Sequence, residues 1–165
     1  MNVASRLPWW PEIILLTALS IMLAWVVNVA RPEPLPWFAD YAAKRVEETV
    51  KKGLAVLSPA EAQAAWTAKD RLFVDARTPE EFAMEHVPGA VNIPAEALLT
   101  GLDAAVSAVP GLEKNRPLAV YCSDLVCPKS KEVAEGLKDM GFTALAVMPE
   151  GLEGWKAAGG KVEGQ

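Results

Sequence analysis

The chain has 165 residues, of which 52% are hydrophobic, and its formal net charge is −5 at pH 7. This length suits one ordinary domain with an appendage, and it excludes two full domains. The acidic balance, without any stripe rich in Lys or Arg, argues against nucleic acid as a partner.

An uncharged apolar segment lies near the N-terminus. Residues 13–30 read IILLTALSIMLAWVVNVA, and at about 1.5 Å per residue they form roughly 27 Å of helix, close to the hydrocarbon thickness of a bilayer. The segment is longer than the apolar region of a usual signal peptide, and no A-x-A cleavage site follows it. We predict that residues 1–30 form one transmembrane helix with a short flank. A cleaved signal peptide and a buried core helix are the alternatives.

Two rules bear on the side of the membrane that the domain occupies, and they give opposite answers. The count of Arg31, Lys44 and Arg45 against Arg6 favours a cytoplasmic domain by the positive-inside rule. An uncleaved signal-anchor with a short N-terminus instead exports the chain that follows it. We lean towards an extracytoplasmic domain, which is periplasmic in a bacterium.

A proline-rich segment separates the apolar helix from the rest of the chain. Residues 31–37 read RPEPLPW, which is typical of a stiff, extended linker. Residues 38–52 have the spacing of an amphipathic helix, and Gly53 ends it. We therefore assign residues 31–53 to a linker and amphipathic helix, and residues 54–165 to the globular domain.

Short apolar runs alternate with helical segments in residues 54–165. The runs at 72–74, 118–121 and 144–148 predict strands. Capping-box patterns begin helices at Ser58 and Thr78, residues 87–94 resemble a loop, and helices are predicted at 95–109, 129–140 and 151–158. Strands of four or five residues that alternate with helices indicate an α/β fold with a parallel sheet covered on both faces.

Cys122 directly follows the apolar run 118–121, at the carboxyl end of a predicted parallel strand, where α/β proteins place their ligands. The loop after it leads into a helix that begins near Lys129, and its N–H groups and helix dipole favour an anion. We expect the pKa of a cysteine there to lie below the usual value of about 8.5. The position alone fits an unreactive core cysteine equally well.

Three segments resemble the rhodanese family. They are LFVDARTPEEFAMEHVPGAVNIP (72–94), LAVYCSDLVCPKSKEVAEGLKDMGF (118–142) and EGLEGWKAAGGKVE (150–163). The resemblance implies a rhodanese-like, doubly wound parallel α/β domain, here preceded by one transmembrane helix. It also implies that the loop cysteine, Cys122, carries sulfane sulfur as a persulfide. We expect no metal and no cofactor, because Cys122 and Cys127 lack the further Cys or His partners of a structural zinc site and His86 is the only histidine.

The resemblance also assigns a structural framework. Asp75, Arg77, Glu81 and His86 match framework positions of the family and not catalytic ones. We expect Arg77 and Glu81 to form a salt bridge. We expect His86 to be a hydrogen-bonded anchor of its loop and not a general base.

The cysteine loop departs from the family pattern. Its candidate substrate-binding residues are Ser123, Asp124, Leu125, Val126, Lys129 and Ser130. The family's usual loop has a Gly and an Arg, whereas here Lys129 is the only cation and Asp124 adds a negative charge. Bidentate recognition of a thiosulfate-like dianion is therefore weakened, and ordinary thiosulfate:cyanide activity is in doubt. Pro128 stands where a Cys-x5-Arg phosphatase has its Arg, which argues against phosphatase chemistry.

The loop contains a second cysteine. Cys127 is placed to attack a persulfide on Cys122 and leave a disulfide, provided that the two Cα atoms come within about 7 Å; otherwise it merely packs under the loop. We predict a membrane-anchored sulfurtransferase or persulfide carrier that works with a small-molecule or protein-thiol donor and acceptor, and with a membrane-protein partner. The alternative is a catalytically silent rhodanese fold that serves as an interaction module at a membrane complex.

Overall fold

The computed structural model describes residues 9–32, 34–35 and 41–164. The chain divides into two compact units, Met1–Ala39 and Asp40–Gln165. In the first unit, helix α1 (Trp10–Val29) has 20 residues, none of them buried. By length and composition α1 is able to cross a membrane, as a signal sequence also is. Its exposure argues against a buried core helix. Linker residues 33 and 36–40 lie outside the described residues.

The second unit is built on a five-stranded parallel sheet. Its strands are β1 (Ala55–Val56), β2 (Leu72–Asp75), β3 (Val91–Asn92), β4 (Leu118–Tyr121) and β5 (Leu145–Met148), in the order β1-β5-β4-β2-β3. Every residue of β2, β4 and β5 is buried. These strands read as continuous apolar runs because helices cover both of their faces. The predicted α/β fold with a parallel sheet is confirmed.

Seven helices accompany the sheet in the described part of the second unit. They are α2 (Tyr41–Lys51), α3 (Pro59–Ala68), α4 (Pro79–Met84), α5 (Ala97–Thr100), α6 (Leu102–Ser107), α7 (Lys129–Asp139) and α8 (Gly151–Ala157). The capping boxes predicted at Ser58 and Thr78 are both present and begin α3 and α4. Residues 95–109, predicted to be helical, form the two short helices α5 and α6, which Gly101, at φ 132°, separates.

The core has one layer on each face of the sheet. On one face, Val133 and Leu137 of α7 pack against buried side chains such as Val120. On the other face, Trp155 of α8 packs against Phe73, with ring centroids 5.7 Å apart. This two-sided burial supplies most of the driving force for folding. It also fixes the carboxyl end of β4, where Cys122 follows.

Helix α2 packs on the same unit. Thr49 is buried, and its carbonyl oxygen accepts a hydrogen bond from the Leu54 N–H. Lys52, the residue after α2, forms an ion pair with Glu135 of α7, with the charged atoms 3.2 Å apart. The Lys138 ammonium, also on α7, donates to the Lys52 carbonyl at 2.7 Å. These contacts hold α2 on the domain.

Candidate active site

The two cysteines meet at the carboxyl end of β4. Cys122 follows Tyr121, the last residue of β4, and is 1% exposed. Cys127 precedes α7 and is joined to Cys122 by a disulfide, with the Cα atoms 6.3 Å apart. This separation lies within the ordinary range for a bridge. In this state neither sulfur titrates, so the lowered cysteine pKa that we expect refers to the reduced protein.

The first turn of α8 fixes the start of the cysteine loop. The N–H groups of Leu152 and Glu153 donate to the carbonyl oxygens of Cys122 (2.8 Å) and Ser123 (3.0 Å). Gly151, at φ 61°, lies so close to the loop that an added Cβ would be 2.6 Å from the Cys122 carbonyl oxygen and 2.7 Å from the Asp124 nitrogen. A glycine is therefore required at position 151, both for its backbone conformation and for its lack of a side chain.

Asp124 organises the middle of the loop. Its Oδ1 accepts hydrogen bonds from the N–H groups of Val126 (2.8 Å) and Cys127 (3.1 Å). Backbone N–H groups of such a loop are the natural donors to a bound anion. Here two of them are bound by the chain's own carboxylate, which lowers the loop's capacity to bind an anionic substrate.

The cations around the loop have partners within the chain. Lys129 Nζ lies 3.4 Å from Glu96 Oε1, and its charge, after a backbone hydrogen bond within Glu96 itself, helps to lower the pKa of that carboxyl. Arg45 of α2 reaches the loop and donates from Nη2 to the Val126 carbonyl at 3.0 Å. Arg45 was not predicted at the site, because it lies 81 positions from Val126 in the chain. In the sequence, only the amphipathic pattern of residues 38–52 indicated that this helix packs against another part of the protein.

The other predicted loop residues differ in exposure. Val126 is 73% exposed at the tip of the loop, whereas Ser130 is 3% exposed in the first turn of α7. Ser123 and Leu125 are half-buried. Ser123 opens onto a cavity of about 410 Å³. This cavity is lined by Arg77, Glu81, Met84, Glu85, Ser123 and Glu153, and is therefore predominantly acidic.

The framework carboxylate and guanidinium form a buried pair. Asp75 is completely buried and accepts from Arg77 Nη2 at 2.7 Å and from Nε at 3.0 Å. Burial alone lowers the pKa of Arg77, but the hydrogen bonds and charge of Asp75 raise it on balance. The predicted Arg77–Glu81 salt bridge is wrong. Glu81 instead accepts from the Thr78 N–H at 3.0 Å, because its position in the first turn of α4 directs it to the helix start.

His86 is hydrogen-bonded, as predicted for a loop anchor. Its Nδ1 lies 2.7 Å from the Phe82 carbonyl oxygen, and its Nε2 lies 3.3 Å from Glu163 Oε1. The neighbouring Val87 N–H donates to the Tyr121 hydroxyl at 3.1 Å. Burial, followed by the charge of Asp75, raises the pKa of Tyr121 far above its usual value, so this phenol stays neutral.

No group of three or more His, Cys, Asp or Glu side chains within the described ranges is arranged to hold a metal ion. The two sulfurs at the end of β4 are joined as a disulfide. Around them, the start of the loop is buried and the Asp124 carboxylate binds N–H groups of the loop. The nearby cations contact other groups of the same chain. This arrangement is suited to thiol–disulfide exchange, in which a thiolate attacks a neighbouring sulfur.

Comparisons with known proteins agree with the parallel α/β fold. The family model described as Rhodanese-like domain matches residues 58–158. The chain is 34% identical over 93 residues to the thiosulfate sulfurtransferase PspE of Escherichia coli K12, covering 56% of this chain and 81% of that protein. It is 27% identical over 123 residues to the uncharacterized protein YibN of the same strain, covering 73% of this chain and 82% of YibN. A solved rhodanese-like domain from Anabaena sp. is 25% identical with a TM-score of 0.54, covering 68% of this chain and 79% of that one.

Proposed function

Because the chain belongs to the rhodanese-like domain family, we propose that it carries sulfane sulfur as a persulfide on Cys122 and that Cys127 resolves it. The observation that carries the proposal is the pairing of the two cysteines at the carboxyl end of β4, with 6.3 Å between their Cα atoms. The similarity to a protein named as a thiosulfate sulfurtransferase supports sulfur chemistry at this position. The acidic cavity beside Ser123 favours a donor of low charge over a dianion.

The reaction has three steps. The Cys122 thiolate attacks the outer sulfur of a donor persulfide, R–S–SH, so that Cys122–S–SH forms and R–S⁻ leaves. The Cys127 thiolate then attacks the inner sulfur, on Cys122, so that the disulfide forms and HS⁻ leaves. An external dithiol reduces the disulfide with two electrons and two protons, and is itself oxidised to a disulfide. The bridged structure corresponds to the state before this last step.

Location is part of the proposal. Helix α1 would anchor the domain in a membrane and concentrate it near a membrane-bound donor or acceptor. We propose the extracytoplasmic side for this domain, where a disulfide between Cys122 and Cys127 persists until an external dithiol reduces it. The sulfur donor and acceptor are then small molecules or protein thiols of that compartment.

Mass spectrometry of the full-length chain tests the carrier role. The protein is reduced with dithiothreitol, freed of reductant and incubated with inorganic polysulfide. We expect Cys127→Ser to accumulate an adduct of about 32 Da, one sulfur atom, whereas the wild type releases sulfide and returns to the disulfide. Cys122→Ser should form no adduct at position 122. If neither the wild type nor Cys127→Ser takes up sulfur, the carrier role is wrong and the interaction module takes its place.

A further inference from the structure

A charged side chain of helix α2 contacts the cysteine loop. The Arg45 guanidinium donates to the Val126 carbonyl at 3.0 Å, and its side chain is 28% exposed. Two contacts on the C-terminal side of Arg45 fix its position. Its own carbonyl accepts from the buried Thr49 hydroxyl at 2.8 Å, and the end of α2 is fixed to α7 through Lys52.

The Val126 carbonyl belongs to the peptide group that enters Cys127. A bond to this oxygen therefore restrains the backbone that carries the second sulfur. Oδ1 of Asp124 restrains the same peptide from its nitrogen, at 3.1 Å from the Cys127 N–H. Arg45 and Asp124 thus hold the two ends of one peptide group, Arg45 from outside the loop and Asp124 from within it.

The charges that face the guanidinium are few. Glu48 Oε2 lies 3.9 Å from Arg45 Nη1 and is shared with Lys131, whose ammonium is 3.5 Å away. The Glu48 carboxylate is therefore divided between two cations, and neither of these contacts is short. The 3.0 Å bond to Val126 is the shorter and more directed contact of Arg45.

We propose that Arg45 is a positioning residue for Cys127: by holding the Val126 carbonyl, it keeps the loop arranged for closure onto Cys122. The inference rests on the proposed dithiol relay and extends it to α2. Closing a loop costs conformational entropy unless its backbone is already ordered. The bond from Arg45 to Val126 is made in the closed arrangement of the loop. It therefore stabilises the disulfide over dithiol forms in which the loop is open, and in this way the helix that follows the linker shifts the balance between dithiol and disulfide.

A redox titration of the full-length chain in detergent tests this inference. Dithiothreitol reduces the bridge to two thiols and becomes the cyclic disulfide, so the ratio of its two forms sets the protein equilibrium. Arg45→Met keeps an apolar stem but removes the donors. We expect it to lower the disulfide-to-dithiol equilibrium constant about fivefold, the loss of one part-exposed, charge-assisted hydrogen bond; this is a shift of ~20 mV for a two-electron couple. Lys44→Met, on the same helix but without a contact to the loop, should leave the constant unchanged.

A second measurement separates positioning from a general effect of charge. In Cys127→Ser protein, where closure is impossible, Arg45→Met should leave the rate of sulfur uptake by Cys122 unchanged. The inference is overturned if Arg45→Met leaves the redox equilibrium unchanged. It is also overturned if Arg45→Met slows sulfur uptake by Cys122 in the Cys127→Ser background. Failure of the proposed function looks different: Cys122 takes up no sulfur in any variant, while the redox shift caused by Arg45→Met persists.

Discussion

Gly151→Ala is the substitution that most directly probes how α8 holds the cysteine loop. Gly151 has φ 61°, a left-handed conformation that costs an L-residue about 1–2 kcal/mol. The added Cβ would also meet backbone atoms of Cys122 and Ser123 at 2.6 Å. Because these are backbone atoms, the contact is relieved only if the loop or α8 moves.

Forced overpacking of this kind typically costs a further ~1–3 kcal/mol. We therefore expect Gly151→Ala to lower the free energy of unfolding by about 2–5 kcal/mol. Gly159→Ala is the matched control, since Gly159 has φ 84° but nothing lies within 4 Å of its added Cβ. The control carries only the conformational cost, about 1–2 kcal/mol. The difference between the two variants isolates the close approach to the loop.

Urea denaturation of the full-length chain in detergent measures both losses of stability. Sulfur uptake by the reduced proteins, followed by mass, measures the effect on Cys122. We expect Gly151→Ala to slow uptake because Cys122 and Ser123 are displaced, and Gly159→Ala to leave it unchanged. Equal destabilisation by the two substitutions, together with wild-type uptake in Gly151→Ala, would refute the close approach of α8 to the loop.

Three further predictions follow from the site and the fold. Thiosulfate:cyanide sulfur transfer should stay below an efficiency of ~10⁴ M⁻¹s⁻¹, because Asp124 binds the loop N–H groups; steady-state kinetics at or above that value contradict this. Asp75→Ala should lower the free energy of unfolding by about 3–5 kcal/mol, because it leaves the Arg77 guanidinium buried without its partner; a loss below 1 kcal/mol in urea would show that the pair is dispensable. Removal of residues 1–36 should give a monomeric domain, and removal of residues 1–53 an aggregating one, by gel filtration and thermal melting; aggregation of both contradicts a simple tether.

The central strands and the helix starts could be predicted because their causes are local. β4 is a four-residue apolar run that ends at Tyr121, directly before Cys122, and each capping box, at Ser58 and Thr78, joins residues only three positions apart. The strands β1 and β3 were not predicted, since each has two residues and is defined by its neighbours in the sheet. A strand of two residues is too short to show the apolar pattern by which strands are recognised in a sequence.

The contacts of the site could be predicted only in part. The reach between Cys122 and Cys127 follows from five residues of separation. Arg77 pairs with Asp75 and not with Glu81, because Arg77 lies before α4, outside the helical spacing that would have brought it to Glu81. Arg45 reaches Val126 only through the packing of α2 on the domain, which no pattern within the loop encodes.

The central claim, that Cys122 is the sulfur carrier, is tested most directly by locating the adduct. Reduced, full-length Cys127→Ser is incubated with inorganic polysulfide, and the persulfide that forms is alkylated. The protein is then digested, and its peptides are sequenced by tandem mass spectrometry. We predict one additional sulfur, about 32 Da, on the peptide that contains Cys122. An unmodified Cys122 peptide after the same treatment would contradict the account.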